Sequence, residues 1–224
     1  LLSDFLGRVF YSFKESDRNP WFLRHTESYG NGISPHLRGT VYCVVPTHNR
    51  LNKLKICIGC LENQEYTDWK LIVVDDGSTD GTDLYVRSLK SRNIHIIRGD
   101  GSLWFAGAIH LGINYAKERA EKGDYLLVLN DDTKFDLDLI SILVKDAESH
   151  PKAIVGTLQK SSADGKVLYK GFSIDYTKLE IMYSNNRVDA LPGRGLFIPI
   201  SILRKIGSVK SFLFPHFMVD IELT

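Results

Sequence analysis

From Thr40 onward, apolar runs of strand length alternate with segments of helical period. Val41-Tyr42-Cys43-Val44-Val45 reads as a buried strand interrupted by Pro46, and a helix is expected from about Leu51 to Asn63. Lys70 to Val74 reads as a second strand, followed by a helix capped by Thr79 or Asp80 and running to about Lys90. Ile94 to Ile97 is a third strand, and a helix is expected from about Phe105 to Glu121. Tyr125 to Leu129 makes a fourth strand, a helix covers about Asp136 to Ser149, and a fifth strand starts at Ala153. Alternation of this kind demands an α/β fold with a mostly parallel sheet, helices on both faces and right-handed crossovers. Ligands of open sheets bind outside the carboxyl ends of the strands. That edge is where the polar residues gather. Pro46-Thr47-His48-Asn49-Arg50 follows the first strand, Asp75-Asp76 the second and Asn130-Asp131-Asp132 the fourth. Three strand ends converging on one edge are the reason to expect a site there.

The flanks differ. Residues 1–39 mix aromatics such as Phe5, Phe10, Tyr11 and Trp21 with basic residues, then turn rich in Gly, Ser and Pro, and are expected to form a helical extension and a linker. Their aromatic-basic character is compatible with peripheral contact to a membrane surface, or with packing on the main domain or a partner. Beyond Gly156 the periodicity shortens: Val167 to Tyr169 and Leu179 to Tyr183 read as antiparallel strands around a turn at Ala163-Asp164-Gly165. A glycine-rich turn, Gly193-Arg194-Gly195, then precedes an apolar strand and a helix from about Ile200 to Ile206, closing at Gly207. The start lacks a Met and the end at Thr224 lacks a cap, so the chain is expected to be part of a longer protein, with residues 40–224 as its main domain.

Composition excludes several classes. A formal net charge of +1 gives no electrostatic footprint of a nucleic-acid binder. No apolar run approaches the ~20 residues of a membrane-spanning helix. Of three cysteines, Cys57 and Cys60 form a C-x-x-C, but no second Cys/His pair stands at zinc spacing. They sit in an amphipathic helical pattern and read as small buried residues. The absence of a disulfide framework agrees with a cytoplasmic location.

In Asn130-Asp131-Asp132 the outer residues stand two apart at a strand end and can turn toward one ligand. A hard divalent cation, Mg²⁺ or Mn²⁺, takes oxygen ligands and bridges one or two side chains to substrate phosphates. Asp132 is the stronger ligand, because Asn130 offers only a neutral amide oxygen. For the tripeptide alone, turn and capping chemistry is the better account. An Asp at a strand end bonds a base N–H or a ribose hydroxyl, or shapes the turn, and Asp75 and Asp76 can divide these roles. Gly99, Gly101 and Gly107 miss the G-x-G-x-x-G spacing and follow the third strand, which disfavours a dinucleotide fold. Asp220 lies beside the aromatic-rich Phe212 to Phe217, where apolar walls raise a carboxylate's pKa and suit it to act as a base. His110 and His216 are further candidates, and each has a structural alternative.

Together these phrases resemble the family 2 glycosyltransferases, which have the GT-A fold. The resemblance rests on Val44 to Arg50, Leu71 to Asp80 and Leu126 to Thr133, and spans about residues 40–224. It implies inverting transfer of a sugar from a nucleotide-sugar donor to an acceptor hydroxyl. Pro46, Thr47, Asn49 and Arg50 would border the nucleotide, and Asp75 or Asp76 would contact the base. Asn130-Asp131-Asp132 takes the place of the family's Asp-x-Asp, with Asp132 as metal ligand and Asn130 as the departure. Gly193, Arg194 and Gly195 resemble the acceptor-side segment. Asp220 falls where the family places its catalytic base, with Val219 instead of the usual Glu. The stretch Ser102 to Gly112 is similar to a subset of rhamnosyltransferase-like enzymes of bacterial surface polysaccharides. That likeness directs Trp104, Gly107 and His110 toward the donor, with Trp104 and Phe105 as pocket walls or as core aromatics. It favours a glycan or lipid-linked acceptor handled at the cytoplasmic face of the inner membrane. A nucleotidyltransferase would need a glycine-rich loop after the first strand, where this chain has none. A non-catalytic sugar-binding module on the same fold is the alternative from another class.

Overall fold

The computed structural model describes residues 4–12, 24–25, 37–161, 167–169, 171, 173–175, 178, 180–182 and 191–206. The central unit is four parallel strands: β3 (Val41–Thr47), β4 (Trp69–Asp75), β5 (Ile94–Arg98) and β6 (Tyr125–Val128). Two strands precede them, β1 (Asp4–Ser12) and β2 (Arg24–His25). After β6 come β7 (Thr133–Phe135), β8 (Val155–Ser161), β9 (Val167–Tyr169), β10 (Ser173–Asp175), β11 (Glu180–Met182) and β12 (Leu196–Pro199). The helices are α1 (Leu51–Glu62), α2 (Thr82–Ser88), α3 (Trp104–Arg119), α4 (Leu139–Ser149) and α5 (Ile200–Ile206).

The main sheet runs in the order β2-β1-β8-β12-β6-β3-β4-β5, with β7 pairing β1 and β9 pairing β8 off that path. Register in the parallel half is unbroken, from Val41 opposite Trp69 to Thr47 opposite Asp75. β12 inserts antiparallel between β6 and β8, so β8 runs in the same sense as β6. β10 and β11 form a separate antiparallel pair. This is the expected α/β architecture, with an antiparallel wing beside a parallel core.

Strand pleat explains how the helices divide. Tyr42, Val44, Ile72, Val74, Leu126 and Val128 point to one face, where α3 and α5 pack. Their neighbours Val41, Cys43, Val45, Leu71, Val73 and Leu127 point to the other, covered by α1, α2 and α4. Both faces are buried, which is why these strands read as continuous apolar runs instead of alternating ones. Pairing of β3 with β6 ends at Val44, so Pro46 stands beyond that ladder, where a missing N–H is tolerated.

One expectation is corrected. Within residues 1–39, Asp4–Ser12 is a strand and not a helix, pairing antiparallel with β8 from Asp4–Ser161 to Ser12–Val155. Phe5, Val9, Phe10 and Tyr11 carry β-propensity, and β8 leaves an edge open for them to extend. The turn expected at Ala163-Asp164-Gly165 lies outside the described residues. So do Gly207 and everything after it, including Phe212 to Phe217, His216, Val219 and Asp220.

Candidate functional site

Three loops meet at the carboxyl edge of β3, β4 and β6, and hydrogen bonds between them set the site. Thr47, at the end of β3, donates from Oγ1 to Asp131 Oδ2 over 2.8 Å. Asn49, at a left-handed φ of 51°, receives a bond at its Oδ1 from Thr79 N (2.8 Å). Its own N–H donates to Ser78 Oγ at 2.8 Å. Asp80 Oδ2 accepts from Leu51 N at 2.8 Å, so a carboxylate from the loop after β4 caps α1. The loop after β3 is thus fastened to the loop after β4 by Asn49, Ser78, Thr79 and Asp80. Of these, only Asn49 was expected at the site, and its visible role is to hold loops together.

The two aspartates after β4 are divided. Asp76 turns its carboxylate to the chain leading into α3: Oδ1 accepts from Gly101 N at 2.9 Å and Leu103 N at 3.2 Å, and Oδ2 from Trp104 N at 2.9 Å. This anchor holds Trp104 at φ 55°, an uncommon backbone for an aromatic residue. Gly99 must be glycine here, because a Cβ would lie 2.7 Å from Asp76 Oδ1. Asp75 is completely buried, its Oδ1 accepting from Ser78 N at 2.9 Å. Its Oδ2 is buried without a hydrogen bond, 3.7 Å from Arg98 Nη1. Sequence reading passed over Arg98. The signal was its position at the end of β5, the fourth parallel strand to deliver a polar group to this edge.

After β6 the charges interlock. Arg50 Nη1 stands 3.0 Å from Asp131 Oδ1, and its Nη2 donates to Asp132 Oδ2 at 2.6 Å. Arg194 Nη2 faces the other Asp132 oxygen, Oδ1, at 3.2 Å. Donor chemistry sets the Asn130 amide with its oxygen toward Arg194, accepting from Nη2 at 3.1 Å and Nε at 3.2 Å. Asp131 is only 3% exposed, and burial pushes its carboxyl up to about 6 against the opposing pull of Arg50 and Thr47. Asp131 is therefore the buried tie between β3 and β6. Asp132 is the slightly less buried member of the pair, and its Oδ1 forms an ion pair but no hydrogen bond.

The remaining expected residues are placed as follows. Trp104 is 56% exposed at the first turn of α3, whereas Phe105 is half-buried and packs against the core. Gly107 follows on the same helix, where an added Cβ would meet Leu103 at 3.3 Å. His110 lies further along α3 and shares a 2.8 Å contact with Asn114 one turn on. Gly193 and Gly195 flank Arg194, and Gly195 (φ 81°) bonds through its N–H to Val128 O at 2.8 Å and through its carbonyl to Thr157 N at 3.1 Å. The segment read as acceptor-side therefore delivers Arg194 into the carboxylate cluster. No group of three His, Cys, Asp or Glu side chains suited to a metal occurs among the described residues. No described helix is long and apolar enough to cross a membrane.

Known proteins resemble this chain in sequence and in fold. Over 92 residues the chain is 36% identical to the chondroitin synthase of Escherichia coli, an alignment covering 40% of this chain and 13% of that protein. Over 79 residues it is 28% identical to the Escherichia coli UDP-Glc:alpha-D-GlcNAc-diphosphoundecaprenol beta-1,3-glucosyltransferase WfgD, covering 35% of this chain and 31% of the relative. The chain thus matches under a third of either relative's length. In fold it is similar to the mannosyltransferase PcManGT from Pyrobaculum calidifontis, solved with GDP-Man and Mn²⁺. There the TM-score is 0.59 at 16% identity, over 83% of this chain and 51% of that one. The glycosyl transferase family 2 profile matches residues 42–207 of the 224, a span that runs from the second residue of β3 through α5 and holds every described site residue, and the chain belongs to that family.

Proposed function

We propose that this domain transfers a sugar, with inversion, from a nucleotide-sugar donor to a hydroxyl of a glycan or lipid-linked acceptor in bacterial polysaccharide synthesis. The observation that carries the reading is the convergence of Asp75, Asp132, Arg50 and Arg194 at the carboxyl edge of a family 2 sheet. Asp75 Oδ2, buried and without a hydrogen bond, suits the ring N–H of a base; Asp76, already holding three backbone N–H groups, does not. Trp104 offers an exposed aromatic face at the same edge.

The residues present fit a divalent cation. Asp132 Oδ1 is buried without a hydrogen bond, and a single carboxylate is enough when donor phosphates and water fill the remaining positions. Asp132 would hold Mg²⁺ or Mn²⁺, which supplies charge to offset the departing diphosphate. The manganese in the mannosyltransferase structure supports the choice of ion. In the transfer, an acceptor oxygen forms a bond to the anomeric carbon as the bond to the diphosphate oxygen breaks. The hydroxyl proton passes to Asp220, the base that the family pattern assigns. The diphosphoundecaprenol acceptor named for WfgD supports a lipid-linked acceptor.

A thermal-shift screen with UDP, dTDP, GDP and CDP, each with and without Mn²⁺ or Mg²⁺, tests the reading. A ligand that binds only the folded state raises the melting temperature. Stabilisation by one nucleotide, dependent on metal and lost in Asp132→Ala, is expected. No shift with any pair points instead to a module that does not bind donor. Hydrolysis or transfer assays on wild type and Asp220→Asn separate enzyme from binding module: as an enzyme the wild type turns donor over, while the variant should bind donor and turn nothing over.

A further inference from the structure

The backbone beside Arg194 is fixed by its neighbour. Gly195 beside it is locked between β6 and β8 through Val128 O and Thr157 N, and a Cβ at 195 would lie 1.8 Å from Thr157 Oγ1. From that fixed point the guanidinium reaches Asp132 Oδ1 and the Asn130 oxygen together. Arg50 covers the other Asp132 oxygen. Both oxygens of the Asp132 carboxylate are thus faced by arginine. A cation bound at Asp132 meets these guanidiniums at close range, so cation and arginine compete for one carboxylate. A diphosphate is the partner that resolves the competition, because a guanidinium fork binds phosphate oxygens as readily as a carboxylate.

Building on the donor-site reading above, we propose that Arg194 guards the metal position: it holds Asn130 and Asp132 while the donor is absent, and transfers to the donor's diphosphate when cation and donor bind. Arg194 is then a donor-diphosphate residue and not an acceptor-side one. Asn130 fits the role, since a neutral oxygen can receive the guanidinium and release it without leaving a bare buried charge. The consequence is linkage. Diphosphate draws Arg194 off Asp132 and so strengthens cation binding, and by reciprocity the cation strengthens diphosphate binding.

The test is calorimetric titration of Mn²⁺ into the protein alone, and of UDP, dTDP, GDP and CDP into protein saturated with Mn²⁺, for wild type, Arg194→Gln and Arg194→Lys. Removal of the guard should tighten Mn²⁺ alone about tenfold and weaken the preferred nucleoside diphosphate about tenfold, each step near 1.4 kcal/mol. Arg194→Lys, which keeps the charge and loses the fork, should fall between on both axes. It carries the comparison if the Gln variant loses its melting transition. Mn²⁺ affinity that is unchanged or weaker in Arg194→Gln overturns the guard, and undiminished diphosphate affinity overturns the transfer. If wild type binds none of the four nucleotides with Mn²⁺, the donor-site reading and the transfer fall together, while the Mn²⁺-alone comparison still decides the guard.

Discussion

The Thr47 hydroxyl and the Asp131 carboxylate, 84 residues apart in sequence, meet over 2.8 Å and tie the end of β3 to the end of β6. Both are buried, so neither can exchange its partner for water. Thr47→Val keeps the shape and removes the donor, leaving Asp131 with less to offset its burial. A loss of about 1–3 kcal/mol is expected from urea unfolding. Nucleotide affinity should fall as well, because Asp132 and Arg50 lean on the same tie.

Asp76 is predicted to matter through Trp104. Asp76→Ala strips acceptors from Gly101, Leu103 and Trp104 N–H groups at the head of α3. Stability should drop by about 2–3 kcal/mol, in the upper range for a lost helix cap with additional backbone bonds. Asp76→Asn keeps one acceptor oxygen and should lose roughly half as much. If donor affinity, measured by nucleotide titration, followed stability in Asp76→Ala but not in Trp104→Ala, the exposed ring would have no part in binding.

Two helical glycines separate packing from propensity. At Gly112 on α3 an added Cβ would lie 2.3 Å from Val44 Cγ1, so Gly112→Ala forces helix and sheet apart. A loss of about 1–3 kcal/mol is expected. At Gly59 on α1 nothing lies within 4 Å of an added Cβ. Gly59→Ala should gain about 0.5–1 kcal/mol from helix propensity alone. Opposite shifts in urea midpoint check the pair.

Strands β3 to β6 and helices α1, α3 and α5 were legible because burial on both faces writes itself as apolar runs of strand length. β7, Thr133–Phe135, was not, being three residues that become a strand only by pairing with Asp4–Leu6. β1 was misread for the same reason, since its partner β8 lies at the far side of the sequence. At the site, Asp75, Asp132 and Arg50 could be picked out by residue type at strand ends. The division between Asp75 and Asp76 could not, because it depends on where the N–H groups of Gly101 to Trp104 arrive. Nor could Arg194's reach to Asp132, which follows from β12 inserting beside β6.

Stability should carry a pH signature from Asp146 on α4. The residue is buried, and its Oδ2 has no hydrogen bond. Burial raises its carboxyl above the ordinary 3.8, against the opposing pull of His150 at 3.3 Å. The sign follows from proton binding. With a folded pKa above the unfolded one, the native state binds more protons across that window, so stability falls as pH rises through it. Asp146→Asn cannot titrate, so its stability relative to wild type should climb from about pH 4 upward and level off above the folded pKa. Urea unfolding across that range, repeated in a His150→Gln background, is the measurement. A relative stability that falls with pH would mean that the His150 pair outweighs burial.

The C-x-x-C of α1 should behave as packing, not as a redox pair. Cys57 and Cys43 are buried, Cys60 is half-buried, and all three are free thiols. Burial drives the Cys57 thiol well up, with Cys60, Cys43, Asp131 and Asp132 adding to it, and burial alone does the same for Cys43. The thiolate is the nucleophile, so both are predicted to be inert in the native state. Iodoacetamide labelling followed by mass spectrometry should modify Cys60 slowly and leave Cys43 and Cys57 untouched until the chain is unfolded. Rapid labelling of Cys57 at neutral pH would show that α1 opens from the sheet, exposing the face that Leu54, Ile58 and Leu61 bury.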